Sequence, residues 1–286
     1  MFVILSFIFG ASIGSFVQVI ATRLHVAPIM NGRSKCLSCG EALRIPDLVP
    51  VFSYLFLNGK CRYCKSVFGI SALVIEVMFG LVFVALYHFI LSGQETLLLS
   101  FFWLVYYTLL FGTLGIIALY DRAHTYIPVS FLYFYGLLTV AMLFLRFNAD
   151  PSALILLGPV IVALPFLIIW LVTRGKGLGF GDVLLFLGVG AFFGVSQGMA
   201  VLLLSIWLGA LYGLYVKYIS PWIAHRKKNG KVKIESGIAI PFVPFIVIAF
   251  ILVLFLDIDI TDISSVFAEY NPMEKGGAVV HDYIGK

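Results

Sequence analysis

Residues 97–128 read LLLSFFWLVYYTLLFGTLGIIALYDRAHTYIP. The first 24 residues of this stretch carry no charge, and a helix of roughly 20 apolar residues crosses the hydrocarbon core of a membrane. The run ends at Asp121, and Ile127-Pro128 opens the next apolar run. A carboxylate at a membrane boundary costs free energy and therefore marks a candidate functional site. The stretch predicts a membrane-spanning helix with a functional acid at its end.

The composition extends this prediction to the whole chain of 286 residues, which is 62% hydrophobic and only 12% charged. Soluble domains average about 25% charged residues. Because the apolar runs are continuous and do not alternate, helices are favoured over a membrane barrel. We therefore predict an all-α polytopic membrane protein with about eight spans, near residues 2–20, 72–91, 97–120, 127–145, 153–173, 183–196, 200–217 and 238–256. The sixth run meets the seventh near Ser196-Gln197-Gly198.

The basic residues set the orientation of these spans. Of the 19 Lys and Arg, 16 fall in alternate connections, and the opposite side holds only Arg146, Lys275 and Lys286. By the positive-inside rule, both termini are extracytoplasmic and the loop at 21–71 is cytoplasmic. The first run precedes Arg23 and has no clear cleavage site, so we expect an uncleaved span. The net charge of +5 then reflects topology, and no nucleic-acid partner is predicted.

The predicted organisation has four parts. A first transmembrane helix at 1–20 precedes the cytoplasmic loop at 21–71, and a seven-helix core follows at 72–256. An acidic extracytoplasmic tail, expected to be partly disordered, occupies 257–286. The sequence carries no signal for the oligomeric state.

All four cysteines lie in the cytoplasmic loop, as Cys36-Leu-Ser-Cys39 and Cys61-Arg-Tyr-Cys64, with 21 residues between the pairs. Two such knuckles supply four thiolates to one tetrahedral zinc ion. The alternatives are a redox dithiol or two disulfides, and a reducing compartment disfavours stable disulfides. A structural Zn²⁺ site is therefore predicted. The apolar segment 45–57 between the knuckles either lies along the membrane surface or packs on them.

A second acid, Asp182, follows the glycine-rich segment 175–181 and precedes the sixth run. Gly179 and Gly181 allow close backbone approach, which a substrate strand beside Asp182 would need. The alternatives are a flexible linker and simple helix capping by Asp182. A phosphate loop is disfavoured, because Lys176 is not followed by Ser or Thr.

Asp121 and Asp182 both fall on the predicted cytoplasmic side, where they can form one pair. Two adjacent carboxylates share a proton, so that one acts as general base and the other as general acid. This pattern favours an intramembrane aspartyl protease, and the alternative is a proton- or cation-coupled transporter that uses the membrane acids. Glu76, inside the second run, is a third such acid. One interpretation is a structural role, in which Glu76 makes an interhelical hydrogen bond or a contact with lipid headgroups. The other is a role in the binding of a substrate or a methyl donor.

With these motifs in hand, the chain resembles the type IV prepilin peptidase family over roughly residues 10–250. The resemblance rests on an ordered set of motifs: Gly14-Ser15-Phe16, Arg23-Leu24, the four-cysteine loop with Asp47 and Pro50 inside it, Asp121 with Ile127-Pro128, Gly179-Phe180-Gly181-Asp182, and Ile240-Pro241-Phe242-Val243-Pro244-Phe245. It implies a bacterial inner-membrane enzyme that cuts the short basic leader from prepilins and pseudopilins on the cytoplasmic side.

The resemblance also implies that Asp121 and Asp182 are the catalytic pair and that S-adenosylmethionine serves a second, N-methyltransferase activity. Three positions depart from the family pattern. Leu184 stands where many relatives have lysine, Leu48 where many have asparagine, and no Tyr-Pro pair precedes Glu76. The last two bear on methyl transfer, so a peptidase that lacks this second activity is the narrower alternative.

Overall fold

The computed structural model describes residues 1–24, 33–36, 38–93, 96–176, 178–219 and 241–260. Apart from two isolated β-bridges, the secondary structure of these residues is helical. The α-helices of these residues are α1 Phe2–Arg23, α2 Phe52–Phe56, α3 Ser71–Gly93, α4 Leu97–His124, α5 Val129–Ala149, α6 Ala153–Thr173, α7 Phe180–Phe193, α8 Val195–Leu214 and α9 Val243–Leu256. A short 3-10 helix precedes α2, and a π-helical turn continues α8.

Eight of these helices coincide with the eight apolar runs, which confirms the predicted all-α membrane fold. In the described part of the chain, six helices are long and apolar enough to cross a membrane. The other two, α7 and α9, have 14 residues each. At 1.5 Å per residue they extend about 21 Å, less than the roughly 30 Å of a hydrocarbon core.

The boundary between the sixth and seventh runs differs from the prediction. The break falls at Gly194 and not at Ser196-Gln197-Gly198, which lie inside α8. Gly194 has a φ of 79°, a conformation that glycine adopts without a steric penalty. An apolar pattern does not mark such a break, because the residues on both sides are helical and hydrophobic.

One compact unit comprises residues 1–138 and 231–247. Within it, α1 packs closely on α3 through glycines. A Cβ at Gly10 would lie 2.6 Å from the backbone oxygen of Phe79, and one at Gly80 would lie 2.5 Å from the ring of Phe7. These helices approach so closely because glycine has no side chain, and small residues are the usual contacts between membrane helices.

The second compact unit comprises residues 139–230 and 248–286. Here α6 and α7 approach backbone to backbone, since a Cβ at Gly190 would lie 2.5 Å from the Gly158 oxygen. The guanidinium of Arg146 donates to the Phe192 carbonyl at 2.7 Å. It thereby caps the last turn of α7, where the helix dipole favours a cation.

The end of α9 is joined to the start of α8 in this second unit. The hydroxyl of Ser196 donates to Asp259 Oδ1 and the amide of Gln197 to Asp257 Oδ1, both at 2.5 Å. Two acids of the predicted tail therefore fix a helix junction. The rest of that tail, residues 261–286, lies outside the described residues.

Candidate active site and metal centre

The four cysteines of the loop are brought together in one cluster. Their sulfur atoms all lie within 4.8 Å of one another, and Cys36 Sγ is 3.8 Å from Cys64 Sγ. All four are free thiols. A tetrahedral zinc ion with Zn–S bonds of about 2.3 Å has sulfur–sulfur edges of about 3.8 Å. The donor set and its spacing fit a four-thiolate metal centre.

The two knuckles have the same backbone geometry. The N–H of Cys36 donates to the Glu41 carbonyl, and that of Cys61 donates to the Ser66 carbonyl. Each knuckle is closed by an antiparallel bridge, Lys35 to Ala42 and Lys60 to Val67. The turn residue at the corresponding position is Gly40 in one knuckle and Lys65 in the other, with φ of 73° and 60°. Both halves of the motif therefore contain the same tight turn.

Hydrogen bonds tune the thiols of the cluster. The backbone N–H of Cys39 is the main cause that lowers the pKa of Cys36 to about 6, and the Ser66 hydroxyl lowers the pKa of Cys64. The N–H of Glu41 would lower the pKa of Cys39, but burial and the neighbouring Cys64 and Cys36 thiols raise it to about 11. Four adjacent thiols cannot all ionise unless a cation balances their charge, which a metal ion supplies.

The segment between the knuckles is held by two acids. Burial alone would raise the pKa of Asp47, but the Arg62 guanidinium at 2.6 Å and the N–H of Arg44 hold it below its ordinary value. Glu76 of α3 accepts the N–H of Val51 at 2.7 Å. The segment is thus anchored both to the second knuckle and to α3. The position of Glu76 in the sequence suggested a contact with another helix, with headgroups or with a ligand, and not this hydrogen bond to the loop backbone.

A polar cavity of about 410 Å³ lies beneath this segment. Asp47, with a side chain only 2% exposed, and Glu76, 9% exposed, contribute to its wall. The other polar lining residues include Ser15, Gln18, Ser34 and Tyr54. Cavities of this size, with a few buried polar groups, are typical of small-molecule sites. The size of the cavity and the Glu76 carboxylate in its wall suit a ligand that carries positive charge.

Asp121 lies near the end of α4 and is 6% exposed. Its carboxylate accepts the backbone N–H of Val243 at 3.1 Å, and the N–H of Phe242 is a second donor. Its own carbonyl accepts the N–H of Thr125, whose left-handed conformation ends α4. The predicted acid is therefore buried and fixed from two sides within the first unit.

Asp182 lies in the first turn of α7, with Gly179 as the residue that precedes the helix. It is 9% exposed, and its N–H donates to the Gly179 carbonyl at 3.2 Å. A Cβ at Gly179 would lie 3.4 Å from Asp182 Oδ2, so this glycine leaves space beside the carboxylate. Gly181 occupies the same first turn. The helix begins at Phe180, three residues before the start predicted for the sixth run at residue 183.

The turn that leads into α7 is supported by Trp170, an aromatic residue that no sequence motif marks. Gly175, with a φ of 74°, lies against Trp170, and its N–H donates to the Trp170 carbonyl at 3.0 Å. The indole also contacts the ring of Phe180, with centroids 5.1 Å apart. The sequence signal for this turn was the glycine just after the apolar run, because glycine commonly adopts a left-handed conformation where a helix ends. Asp182 and this turn belong to the second unit, and Asp121 belongs to the first.

Two family models match the chain. The bacterial peptidase A24 N-terminal domain matches residues 8–90, and the type IV leader peptidase family matches residues 108–214. The first range contains the cysteine cluster and the polar cavity, and the second contains both aspartates. A prepilin leader peptidase/N-methyltransferase of Bacillus subtilis is 33% identical over 211 residues, which cover 72% of this chain and 80% of that protein.

The chain belongs to the type IV leader peptidase family. Proteins of the same name from Pseudomonas aeruginosa and Vibrio cholerae are 29% and 25% identical. The matches cover 87% of this chain and 88% of the first protein, and 89% of this chain and 96% of the second. No solved structure matches the chain.

These findings confirm several predictions from the sequence. The family, the class of enzyme and the multi-pass membrane character all agree with the motifs. The cysteine cluster is present as a group that can hold a metal ion. The roles of Asp121, Asp182, Glu76, Gly179 and Gly181 stay predictions, as does the four-part organisation of the chain.

Proposed function

We propose that this protein is an intramembrane aspartyl endopeptidase that removes the short basic leader from prepilins and pseudopilins and then methylates the new N-terminus. The observation that carries the proposal is Asp121, a buried carboxylate at the end of a membrane helix, held by backbone donors of another segment. An acid in such a place is expensive to maintain and is expected to be functional. The named relatives support the same activity.

The proposed orientation follows the positive charges. The distribution of 16 of the 19 Lys and Arg supports an orientation with the cysteine loop, Asp121 and Asp182 at the cytoplasmic face of the bacterial inner membrane and both termini outside. A substrate with a basic leader followed by an apolar helix would have its cleavage site at this face, because its positive segment stays in the cytoplasm while its helix enters the membrane.

Asp121 and Asp182 act together in the proposed cleavage. One aspartate, ionised, takes a proton from water, and the water oxygen attacks the scissile carbonyl carbon. The other, protonated, donates its proton to the carbonyl oxygen, which gives a neutral tetrahedral diol. The carbon–nitrogen bond then breaks as the first aspartate protonates the amine. A hydroxyl proton of the diol returns to the second aspartate and restores the pair.

Gly179 and Gly181 complete the proposed peptidase site. A peptide bond must lie extended to expose its carbonyl, and side chains at these positions would compete with the substrate backbone for space beside Asp182. The space that Gly179 leaves next to the Asp182 carboxylate supports this role.

The cysteine cluster is proposed to hold Zn²⁺ in a structural role. Cys36, Cys39, Cys61 and Cys64 would occupy all four tetrahedral positions, which leaves no open position for a substrate. The metal would fix the two knuckles and, through the bond from Arg62 to Asp47, the segment that forms the wall of the polar cavity.

The polar cavity is the proposed site for methyl transfer. S-adenosylmethionine, when bound, supplies a methyl group on a positively charged sulfonium. Glu76 would supply the negative charge that attracts such a cation, because the charge of Asp47 is already balanced by Arg62. Because α1 and α3 contribute lining residues, the proposed methyltransferase region includes the loop at 21–71 and the helices on both sides of it.

The test is mass spectrometry of a prepilin co-expressed with the wild-type enzyme or with a variant. Asp121→Asn and Asp182→Asn should each leave the prepilin at full length. Asp150→Asn, which alters an exposed aspartate at the end of α5, should cleave normally and serves as the control. Normal cleavage by either catalytic variant would remove the basis for the proposal and favour an ion-coupled role for the acids.

The same spectra test the second activity. The wild-type enzyme should give a mature N-terminus that is heavier by one methyl group. Glu76→Gln keeps an acceptor for the Val51 N–H and loses the charge, so it should give a cleaved and unmethylated product. An unmethylated product from the wild-type enzyme would instead identify a peptidase without methyl transfer.

A further inference from the structure

The short helix α2 of the cysteine loop has two different faces. Ser53 and Tyr54 line the polar cavity, whereas Phe52, Leu55 and Phe56 are 45%, 58% and 82% exposed. Residues three and four apart in a helix lie on the same side. The three exposed apolar side chains therefore form one outer face of α2, which points away from the cavity.

Two observations fix the level of α2 relative to the membrane helices. The N–H of Val51, which precedes α2, donates to Glu76 at 2.7 Å. Glu76 follows Ser71, the first residue of α3, by five residues and lies about 7.5 Å along that helix. Ser15, in the wall of the same cavity, lies about 12 Å before the end of α1 at Arg23. The segment therefore lies beside the first turns of two candidate spans, which is the depth of the headgroup region.

The charges around α2 suit a surface of anionic lipid. The only acid of residues 44–67 is Asp47, and Arg62 balances its charge. Three basic residues of the same stretch are exposed, namely Arg44, Lys60 and Lys65. Anionic headgroups attract basic residues next to a membrane helix. A partner with positive charge, such as the basic leader of the proposed substrate, would be repelled from this surface.

The chain is also apolar and exposed where it enters α3. Val67 and Ile70, just before the helix, and Val74, in its first turn, are all exposed. Val67 is paired with Lys60 in the second knuckle. Because the exposed apolar surface of a membrane helix is in contact with lipid, the lipid-facing surface of α3 continues into this knuckle.

We propose that the outer face of α2 is a membrane anchor, inserted into the headgroup and upper acyl-chain region of the adjacent leaflet, which is the cytoplasmic leaflet in the proposed orientation. An exposed apolar patch marks an interaction surface, and an amphipathic segment at this level lies in the plane of the interface. The anchor chooses the membrane surface over packing on the knuckles for the segment 45–57. It holds the wall of the polar cavity at the membrane, and it does not depend on either proposed activity.

The test measures the depth of α2 in liposomes of phosphatidylethanolamine and phosphatidylglycerol. An environment-sensitive fluorescent amino acid replaces Phe56 in one purified full-length protein and Glu41 in another. Glu41 is exposed and charged in the first knuckle, so it serves as the control. Lipids brominated near the headgroup or near the end of the acyl chain act as quenchers. Thermal melting first shows that both proteins are folded, and position 52 of the same face carries the label if the first protein does not fold.

The fluorophore at position 56 should be quenched strongly by lipid brominated near the headgroup and less by lipid brominated at the chain end. It should also emit at a shorter wavelength than the fluorophore at position 41, which neither lipid should quench. Absence of quenching at position 56 would overturn the anchor. A fluorophore there that lipid does not quench, and that responds only when a prepilin is added, would instead identify a surface for the substrate. Since neither cleavage nor methylation is measured, this result leaves the proposed activities untouched.

A matched pair of variants tests whether the outer face causes the insertion. Leu55→Asp adds a negative charge within this face, and Asn58→Asp adds the same charge two residues after the end of α2. Asn58 has a φ of 51°, a conformation that aspartate also adopts. Leu55→Asp should weaken the quenching at position 56 and shift its emission to longer wavelength, whereas Asn58→Asp should leave both close to their original values. Equal quenching in the two variants would contradict an anchor formed by this face.

Discussion

Val51 has a backbone conformation that a β-branched residue rarely adopts. Its φ is 64°, and the N–H of Phe52 donates across it to the Pro50 carbonyl at 2.7 Å, which forms a strained three-residue turn. The N–H of Val51 itself donates to Glu76. Conformations of this kind persist only where surrounding contacts hold them, and they concentrate at functional sites. Here the buried carboxylate of Glu76 holds the turn at the wall of the polar cavity.

Removal of this acceptor should therefore destabilise the protein. Glu76→Ala leaves the Val51 N–H without a partner, which costs about 1–3 kcal/mol. Glu76→Gln retains an amide oxygen as acceptor and should cost less than that. Thermal unfolding of the two variants in the same detergent is the measurement, and equal melting temperatures for both would contradict the role of Glu76 in holding the loop.

Gly190 is a second residue whose role depends on a single contact. A Cβ there would lie 2.5 Å from the Gly158 oxygen and 2.7 Å from Pro159 Cα, and backbone atoms cannot move aside cheaply. Gly190→Ala should lower the free energy of unfolding by about 1–3 kcal/mol. Gly112→Ala, with nothing within 4 Å of the added Cβ, is the matched control and should keep or slightly raise the melting temperature. A stable Gly190→Ala variant would show that α6 and α7 are not packed this closely.

Single residues also show the limit of prediction from the sequence. Asp121 and Asp182 were identified because a carboxylate is conspicuous in an apolar chain. Arg146 was counted only as one of three basic residues on the outer side, yet it donates to Phe192 at the end of α7. Its partner is a backbone carbonyl 46 residues away. No pattern in the sequence marks that carbonyl as an acceptor, because every residue carries one.

At the scale of elements, the two knuckles repeat one backbone design around four thiols. The spacing of the cysteines predicted the metal centre because each pair needs only a short turn to present both sulfur atoms. The anchoring of the segment between the knuckles was left open by the sequence. This anchoring depends on the hydrogen bond from Arg62 to Asp47 and on the hydrogen bond from the Val51 N–H to Glu76. Each bond joins residues that are far apart in the chain.

The knuckles should depend on metal for their order. Purified protein should contain a single zinc ion per chain by elemental analysis, and Cys36→Ser should lose most of it. Treatment with a strong chelator should make the loop at 33–70 sensitive to limited proteolysis and expose the thiols to a maleimide, while the membrane helices stay helical. A loop that stays resistant and unreactive after complete removal of the metal would contradict the structural role.

Helix boundaries were predicted less well than helix number. The apolar runs located eight helices of the described residues, six of them long and apolar enough to cross a membrane, since hydropathy reports burial in lipid or in the protein. The junction of α7 and α8 was placed near residues 196–198 and lies at Gly194. That break depends on the φ of one glycine and on the Arg146 side chain packed against it, and neither affects hydropathy.

At the scale of the whole molecule, the charge asymmetry makes a topological prediction. Ser152→Cys should react with a membrane-impermeant maleimide in cells whose outer barrier is permeabilised and whose cytoplasmic membrane is intact, because residue 152 is predicted to lie outside. Arg174→Cys should react only after the cytoplasmic membrane is broken. The native cysteines are expected on the cytoplasmic side and protected by metal, so they serve as an internal control. Labelling of Arg174→Cys in intact cells would reverse the proposed orientation.

The proposed pairing of Asp121 with Asp182 as one catalytic unit is a property of the whole molecule. The measurement is the single-turnover cleavage rate of a prepilin by purified wild-type enzyme, Asp121→Asn, Asp182→Asn and the double variant. Each single substitution should slow cleavage by roughly 10²- to 10⁴-fold. The double variant should be no slower than the slower single variant, because groups that act as a unit are not additive. A double variant slowed by the product of the two single effects would contradict a paired site.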